Sequence, residues 1–287
     1  MTKKKYDDPP KSVPFGGKEH LEWGQVALFE QTNLLQKVHD KIIDPKNHKA
    51  MIMAISLISI HETTRSILIL ARTSVRDSYA LSRIILDAVL NLAYYSIDDK
   101  MIDKANKHSH QKSFRDLFRT IDQENLSSIS TLPDIEDFKL PQNLQKALDQ
   151  FTSRKGNEIK NWYGEPRDSV FKKIEKIEAE FGEGMGKILN LCVFSIYRHA
   201  SEIIHGTLFG TWYGIGFNQT RNEIPKNDKE LIEYRIRMNS YLMSTLNLLM
   251  VASLEIINKD FPIEKLLKES KSISSQLTKM TTNANNL

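Results

Sequence analysis

Cysteine is almost absent from this chain of 287 residues, whose only thiol is Cys192. A single thiol excludes an internal disulfide and a zinc site built on cysteines, and it suits a reducing compartment. Proline and glycine are also scarce, with nine and twelve residues, and most of the prolines stand between long periodic segments. Helical proteins have this punctuation, so the scarcity favours helices over strands.

The sequence also lacks a long apolar run. The best candidate, 51–60, is ten residues long and ends before His61, whereas a helix that crosses a bilayer needs about 20. The basic residues 3–5 are followed by no apolar core, which argues against a secretory signal. The net charge of +4 permits an anionic partner without requiring one. We therefore expect a cytoplasmic protein without a membrane partner.

Apolar residues recur with the period of a helix along most of the chain, and no alternating strand pattern is present. The sequence therefore predicts an all-α fold, a single bundle of long antiparallel helices that forms one domain over 18–280. We expect a disordered basic arm over 1–17, a flexible tail over 281–287 and a flexible insert around 122–141. The predicted helices cover 18–43, 47–72, 74–97, 98–121, 142–153, 166–181, 185–205, 227–258 and 262–278.

The predicted helix over 185–205 ends in a cluster of polar side chains that contains an arginine, two histidines, a serine, a glutamate and a tyrosine. Each helical residue turns by about 100°, so the seven steps from Arg198 to His205 bring the two side chains within roughly 20° of each other. Ser201 and Glu202 lie between them on nearly the same face. A guanidinium can bind a phosphate while an imidazole transfers a proton, so Arg198 and His205 are candidate catalytic residues.

Arg198, His199, five more residues and then His205 resemble the R-polar-x4–6-H signature of the HEPN superfamily of small helical nucleases and nucleotide-binding proteins. The resemblance implies metal-independent RNA cleavage, in which two protomers pair their motifs across a dimer axis. It implies that Arg198 binds the phosphate and that His205 is the general acid or base. It also implies a bacterial toxin or an antiviral defence effector, with an antitoxin or a defence-system protein as a partner.

A wider pattern is similar to a bacterial helical family of unknown function, whose members carry an Arg-x3-acid-x3-Asn helix and a Tyr-x3-Ser-x3-His-Gly helix. The match spans Leu57 to Trp212, and the residues that carry it are Arg83, Asp87 and Asn91, then Tyr197, Ser201, His205 and Gly206. Arg83, Asp87 and Asn91 form a polar stripe on an otherwise apolar helix, and we expect it to be partly buried against the motif helix, the predicted helix over 185–205. This stripe, together with Tyr197, His199, Ser201 and Glu202, then supports the candidate site.

Two other interpretations stay open. In the first, Arg198, Glu202 and His205 form an ion-pair ladder that joins helices, and no chemistry takes place. In the second, the same polar pocket belongs to a non-catalytic helical module that binds a nucleotide, a nucleic acid or a partner protein. A zinc motif that starts at His61 fails, because Arg65 stands where its second histidine is needed. We expect neither a metal nor a cofactor.

Glycine and aromatic residues follow the motif. Gly206 predicts the end of the helix, and the glycines at 206, 210 and 214 permit a close approach of two helices. Trp212 and Tyr213 are candidates for stacking on RNA bases, although an aromatic core or a dimer contact is the stronger explanation. Arg167, which follows Trp162 and Tyr163 in the sequence, is a further candidate for an RNA-facing rim.

Overall fold

The computed structural model describes residues 12–117, 120–123, 126–130, 141–159, 170–217 and 223–284. Its elements, in chain order, are α1 (Lys18–Ile42), α2 (His48–Leu70), α3 (Val75–Ile97), α4 (Asp99–Leu117), β1 (Thr120–Gln123), β2 (Leu126–Ser130), α5 (Gln142–Gln150), α6 (Val170–Phe181), α7 (Glu183–Cys192), a π-helical segment (Val193–Tyr197), α8 (Arg198–Ile204), α9 (Leu208–Ile215), α10 (Asp228–Asp260) and α11 (Glu264–Ala284). The helices pack antiparallel and account for most of the described residues, so the predicted all-α class is confirmed.

The chain divides into two compact units, Met1–Ile97 with Ser169–Leu287 and Asp98–Asp168. The centre of the first unit is α10, which packs against α1, α3, α7 and α11. Its core residues include Leu242, Leu246 and Leu254, which are buried. Full burial of one such side chain stabilises a fold by about 1.5–3 kcal/mol. One domain over 18–280 stays a prediction, because compactness does not say whether either unit folds alone.

Side-chain caps fix the start of two long helices. Asn47 accepts the N–H of Ala50 at 3.1 Å where α2 begins, and Asn227 accepts the N–H of Glu230 at 3.0 Å where α10 begins. Such a cap is worth about 1 kcal/mol. Because capping residues and proline breaks can be read in a sequence, most predicted helix ends lie within a few residues of the observed ends.

Three helices, α2, α3 and α10, are long and apolar enough to cross a membrane by length and composition alone. The fold buries 78% of the apolar window of α10 but only 33% of that of α2. The central position of α10 therefore accounts for its apolar character, whereas α2 exposes Ile55 and Ile69. The cytoplasmic location stays a prediction.

The second unit pairs α4 with α5. Arg115 donates to Gln111 Oε1 at 2.7 Å and to Thr152 Oγ1 at 2.6 Å, and the His108 ring meets buried Phe151 edge-on at 4.9 Å. These contacts join the end of α4 to the end of α5.

The region predicted as a flexible insert, 122–141, contains part of an antiparallel hairpin. β1 pairs with β2, with Thr120 opposite Ser130 and Ile121 opposite Ile129, and α4 ends at Leu117 instead of continuing to 121. Residues 131–140 lie outside the described part of the chain. An antiparallel pair satisfies its backbone groups by cross-strand hydrogen bonds, so it can form where side-chain alternation is weak.

The predicted arm and tail are also shorter than expected. Val13 is fully buried and its N–H donates to the carbonyl of Met280 at 3.1 Å, while the ring of Phe15 stacks on His20 at 4.9 Å. Residues 12–17 are therefore packed, and 1–11 lie outside the described residues. At the other end α11 continues to Ala284. Val13 and Phe15 are isolated apolar residues in a polar segment, and such residues are a weak sign of packing in a sequence. In the structure they are sufficient to attach the segment to the fold.

His20 links the packed arm to α10. Its Nδ1 accepts the N–H of Gly16 at 2.9 Å, and its Nε2 lies 2.8 Å from the hydroxyl oxygen of Ser244. Because Nδ1 is an acceptor, the hydrogen of the neutral ring is on Nε2, which donates to Ser244. Burial lowers the pKa of His20 from 6.5 to about 4.

We predict that the protein loses stability between pH 6.5 and about 4 through His20. In this interval His20 is protonated in the unfolded chain and neutral in the folded chain, so the unfolded state binds more protons. The free energy of unfolding therefore decreases as the pH is lowered, by up to about 3 kcal/mol. Melting temperatures of parent and His20→Asn across this range measure it, with exposed His110→Asn as the control. A slope in His20→Asn as steep as in the parent would contradict the assignment.

Candidate active site

The predicted helix over 185–205 is present, but it is not regular. α7 passes into the π-helical segment and then into α8, and the residues at both junctions, Val193 and Arg198, keep right-handed helical backbone angles. A π turn contains one extra residue and is frequent at functional sites. This one ends directly before Arg198, so it sets the rotation at which α8 presents its side chains. No proline or glycine occurs in it, and nothing in the local sequence marks it.

α8 ends abruptly at His205. The next residue, Gly206, has a φ of 63°, in the left-handed region that favours glycine. Its N–H donates to the carbonyl of Ile203 at 3.1 Å, and the N–H of Thr207 donates to the carbonyl of Glu202 at 3.1 Å. These two bonds form a Schellman motif. The imidazole of His205 is therefore at a helix end, as the position of Gly206 predicts.

α9 packs closely against the end of α8 through Gly210. A Cβ atom at Gly210 would lie 2.5 Å from the carbonyl oxygen of Glu202, which leaves no room for a side chain. The hydroxyl of Thr207 caps α9 by accepting the N–H of Gly210 at 3.1 Å. The close approach that the spaced glycines predict thus occurs, and Gly210 is the residue that permits it.

Arg198 and His205, the two candidate catalytic residues, are both exposed to solvent. Within the described residues neither side chain makes a hydrogen bond or an ion pair, and the guanidinium of Arg198 lies 5.9 Å from the ring centre of Phe209. The carboxylate of Glu202 accepts the hydroxyl of Thr207 at 2.7 Å instead of pairing with them. The ion-pair ladder is therefore not formed in the part of the chain that the structure describes, and half-buried Ser201 lies between the two exposed side chains.

The polar stripe of α3 reaches the motif helix at Tyr197. The guanidinium of Arg83 lies 4.3 Å from the ring centre of Tyr197 and donates to its hydroxyl at 3.2 Å, while Nε of Arg83 lies 3.6 Å from Asp87. Desolvation raises the pKa of Asp87, although Arg83 and Lys173 oppose the rise and the side chain is half exposed. Asn91 is half-buried one turn further along α3. Arg83 therefore anchors Tyr197 and leaves the phosphate-binding candidate Arg198 unengaged.

His199 lies in an aromatic cluster, apart from its exposed neighbours in the motif. Its ring stacks on Tyr213 with centres 4.3 Å apart and faces Phe209 at 6.2 Å, while the ring of Tyr79 meets it edge-on at 6.1 Å. Its Nδ1 is buried, with no hydrogen-bond partner in the described residues. Desolvation, and then the charge of Arg198, lower the pKa of His199, so its ring is neutral near pH 7.

A cavity of about 340 Å³ opens beside this cluster. Helices α8, α9 and α10 and the turn after α9 contribute its lining, which consists of His199, Phe209, Trp212, Tyr213, Gly216, Phe217, Tyr234 and Arg237. The Trp212 ring leans on Phe217 at 4.5 Å, and the hydroxyl of Tyr234 donates to the backbone carbonyl of Tyr213. Both aromatic candidates from the sequence, Trp212 and Tyr213, thus line one space.

The structure also shows which positions the sequence missed. Tyr234 and Arg237 lie on α10, about thirty residues after His205, and the packing of α10 brings them to the cavity. A tyrosine and an arginine on the polar half of a long helix give no separate signal in a sequence. The remaining rim candidate, Arg167, lies outside the described residues, as do Trp162 and Tyr163.

Comparison with known proteins identifies a family. The sequence matches a family of unknown function (DUF5677) over residues 50–223, which is more than half of the chain and contains α3, α8 and α9. No curated protein and no solved structure matches the chain. The matched span agrees with the wider Arg-x3-acid and Tyr-x3-Ser-x3-His-Gly pattern.

We predict that Gly210→Ala destabilises the fold, although alanine normally favours a helix. The added Cβ meets the backbone of Glu202 and must push α9 away from α8, which we expect to cost about 1–3 kcal/mol. Gly184→Ala is the matched control, because that glycine is also helical and has open space around it; there we expect no loss or a gain of up to about 1 kcal/mol. Urea unfolding of both variants measures the difference, and equal stabilities would contradict the close packing.

Proposed function

We propose that this chain, which belongs to the DUF5677 family, is a metal-independent endoribonuclease of HEPN type, with Arg198 binding the phosphate and His205 as general acid or base. The observation that carries the proposal is the state of these two side chains. They lie two turns apart on one short helix, both are exposed, and hydrogen bonds within the described residues engage neither. A guanidinium and an imidazole that are both exposed on the same side of a helix can together bind an anionic ligand.

The chemistry uses the 2′-hydroxyl of the RNA as the nucleophile. A neutral imidazole takes the 2′-hydroxyl proton, the oxygen attacks the adjacent phosphorus, and the bond from phosphorus to the 5′-oxygen breaks. A protonated imidazole gives a proton to the departing 5′-oxygen, so the products are a 2′,3′-cyclic phosphate and a free 5′-hydroxyl. Arg198 binds the non-bridging oxygens and stabilises the charge that develops on them.

One acid and one base are needed, and within the described residues a single protomer offers one suitable imidazole at this surface, that of His205. His199 is adjacent in sequence, but it is stacked on Tyr213 in the aromatic cluster. We therefore propose a homodimer in which two copies of the motif face each other, so that one His205 is the base and the other the acid. The HEPN resemblance supports the same arrangement.

The surface around Arg198 carries several large apolar side chains that are exposed to solvent. Phe194 is 80% exposed one turn before Arg198, Leu191 is 47% exposed one turn earlier, and Leu208 beyond the helix end is 64% exposed. Contiguous exposed apolar side chains mark protein interaction sites. A second copy seated on this surface would cover Phe194 and bring the two motifs together.

The HEPN resemblance also supports a biological role as a bacterial toxin or an antiviral defence effector. In that role the protein is cytoplasmic, and an antitoxin or a defence-system protein restrains it. Exposed Arg198 and His205 are the residues that such a partner would have to cover.

A second candidate is a non-catalytic module that binds a nucleotide, a nucleic acid or a partner protein. The aromatic cavity beside His199 favours it, because binding there requires no exposed acid or base. The two candidates differ in one simple experiment, which is incubation of the protein with transfer RNA and EDTA. Discrete fragments support the ribonuclease, whereas a shift in melting temperature without fragments supports the binding module.

We predict that His205→Ala lowers RNA cleavage by at least about 100-fold and leaves the melting temperature unchanged, because the proposed proton transfer needs the imidazole, whereas this exposed side chain makes no hydrogen bond or ion pair with the described residues. Cleavage of a labelled RNA in EDTA, with detection of the 2′,3′-cyclic phosphate end, measures the effect. His110→Ala, at another exposed histidine, should cut like the parent. Cleavage by His205→Ala at the parental rate would reject the assignment.

We predict that Phe194→Asp separates the dimer, because a carboxylate in an apolar interface loses its water without gaining a partner. Light scattering coupled to size exclusion should show a dimer for the parent and a monomer for the variant, and RNA cleavage should fall with the dimer. The control is Ile69→Asp on α2, where an isoleucine is 78% exposed away from the motif helix. A monomeric parent, or a dimeric and fully active Phe194→Asp protein, would rule out this interface.

A further inference from the structure

The aromatic cavity is too large to be a packing gap. Protein interiors contain few voids larger than a water molecule, and the volume of about 340 Å³ lies at the lower end of the range of about 300–1,000 Å³ found for ligand sites. Three helices that are consecutive in the chain, α8, α9 and α10, meet around it, and Trp212 at its edge is 36% exposed. The space is open to solvent and is sized for one small molecule or one unit of a polymer.

The walls of the cavity suit a flat ring. Phe209, Trp212, Phe217 and Tyr234 present aromatic faces or edges to it, and His199 with Tyr213 adds a stacked pair. The bond from the Tyr234 hydroxyl to the Tyr213 carbonyl ties α10 to α9 and holds two of these rings in place. Aromatic faces of this kind stack on heteroaromatic bases whatever the base identity.

The charge of the lining selects an anionic ligand. Among the described residues that line it, Arg237 is the only one with a formal charge, and the neighbouring His199 is neutral because desolvation lowers its pKa. The stem of Arg237 is held against the arm, since a Cβ atom at Gly16 would lie 3.3 Å from Arg237 Cγ. Within the described residues no carboxylate pairs with its guanidinium, so the positive charge is available to a ligand.

The cavity also adjoins the proposed catalytic surface. Phe209 lines the cavity, and the same ring lies 5.9 Å from the guanidinium of Arg198. One aromatic side chain therefore separates a site for a phosphate from a site for a planar ring. A nucleotide joins these two chemical groups by a sugar.

We propose that the cavity binds one nucleotide unit, with its base stacked against Trp212 and a phosphate on Arg237. The unit is either a free mononucleotide or one unstacked nucleotide of a single-stranded RNA. In the second case the inference rests on the proposed ribonuclease, and the bound nucleotide is a neighbour of the phosphate that Arg198 holds. The pocket then selects where the strand is cut, whereas Arg198 and His205 cut it.

Calorimetric titration of the full-length His205→Ala protein tests the pocket without interference from cleavage. The ligands are the four nucleoside monophosphates, the nucleosides, inorganic phosphate, and a short single-stranded RNA with its copy that lacks one base. We expect a monophosphate or the RNA to bind more tightly than inorganic phosphate. Tighter RNA binding that the abasic copy loses identifies RNA as the source, and mononucleotide binding without competition by RNA identifies a free nucleotide.

Second-site variants in the same background locate the binding. Trp212→Ala should weaken it by roughly 10- to 100-fold. Arg237 is exposed, so Arg237→Gln should leave the fold intact. This change should weaken the binding of the phosphorylated ligands and leave the binding of the nucleosides unaffected. Phe29→Ala and Arg65→Ala, an exposed aromatic residue and an exposed arginine on α1 and α2, are the controls. The proposal would be overturned if both test variants bind the ligands as tightly as the control variants do. It would also be overturned if no nucleotide or RNA binds more tightly than inorganic phosphate.

The two proposals can fail separately. RNA cleavage that persists unchanged in Trp212→Ala, together with no nucleotide binding, removes the pocket and leaves the ribonuclease. Nucleotide binding that Trp212→Ala abolishes, in a protein that never cuts RNA, retains the pocket and removes the ribonuclease.

Discussion

The candidate site depends on how firmly α8 is held on the sides that face the protein. Buried Ile196 and Ala200 fix one side in the core, and the contact of Arg83 with Tyr197 fixes another against α3. A helix cannot rotate one residue without rotating all of them, so these anchors decide the direction of every other side chain. With Ala200 buried in the core, Arg198 and His205 lie on the part of the helix that faces solvent, as does exposed Ile204.

The same constraint gives two histidines of one short helix different chemical environments. His199 is packed among rings, and desolvation favours its neutral form, whereas His205 at the helix end is exposed to solvent. Because His199 and His205 are close in the sequence, they would suggest an acid and a base within one protomer. The packing of α9 against α8, which Gly210 permits, removes His199 from that pairing, and this is why the proposed mechanism takes its second imidazole from a second copy of the chain.

The all-α class and the helix ends could be predicted, because periodicity, caps and prolines are local signals. The shared face of Arg198 and His205 could also be predicted, since it requires only the helical repeat. The π-helical segment could not, because no residue in it breaks a helix. The cavity lining from α10 and the docked arm at Val13 could not either, since both depend on which segments pack together in the fold, and a single sequence does not specify those contacts.

In the proposed ribonuclease, the separation of the phosphate site at Arg198 from the aromatic cavity has a consequence for recognition. Phosphate contacts hold a strand in position but carry no sequence information, whereas contacts to a base can select it. A protein with only Arg198 and His205 at its surface would cut any exposed strand that it could hold. The aromatic cavity adds a cost for strands whose bases stay stacked or paired, because a base must leave its neighbours to enter it. Single-stranded loops and ends are therefore the RNA that we expect the proposed ribonuclease to favour, even before any preference among the four bases.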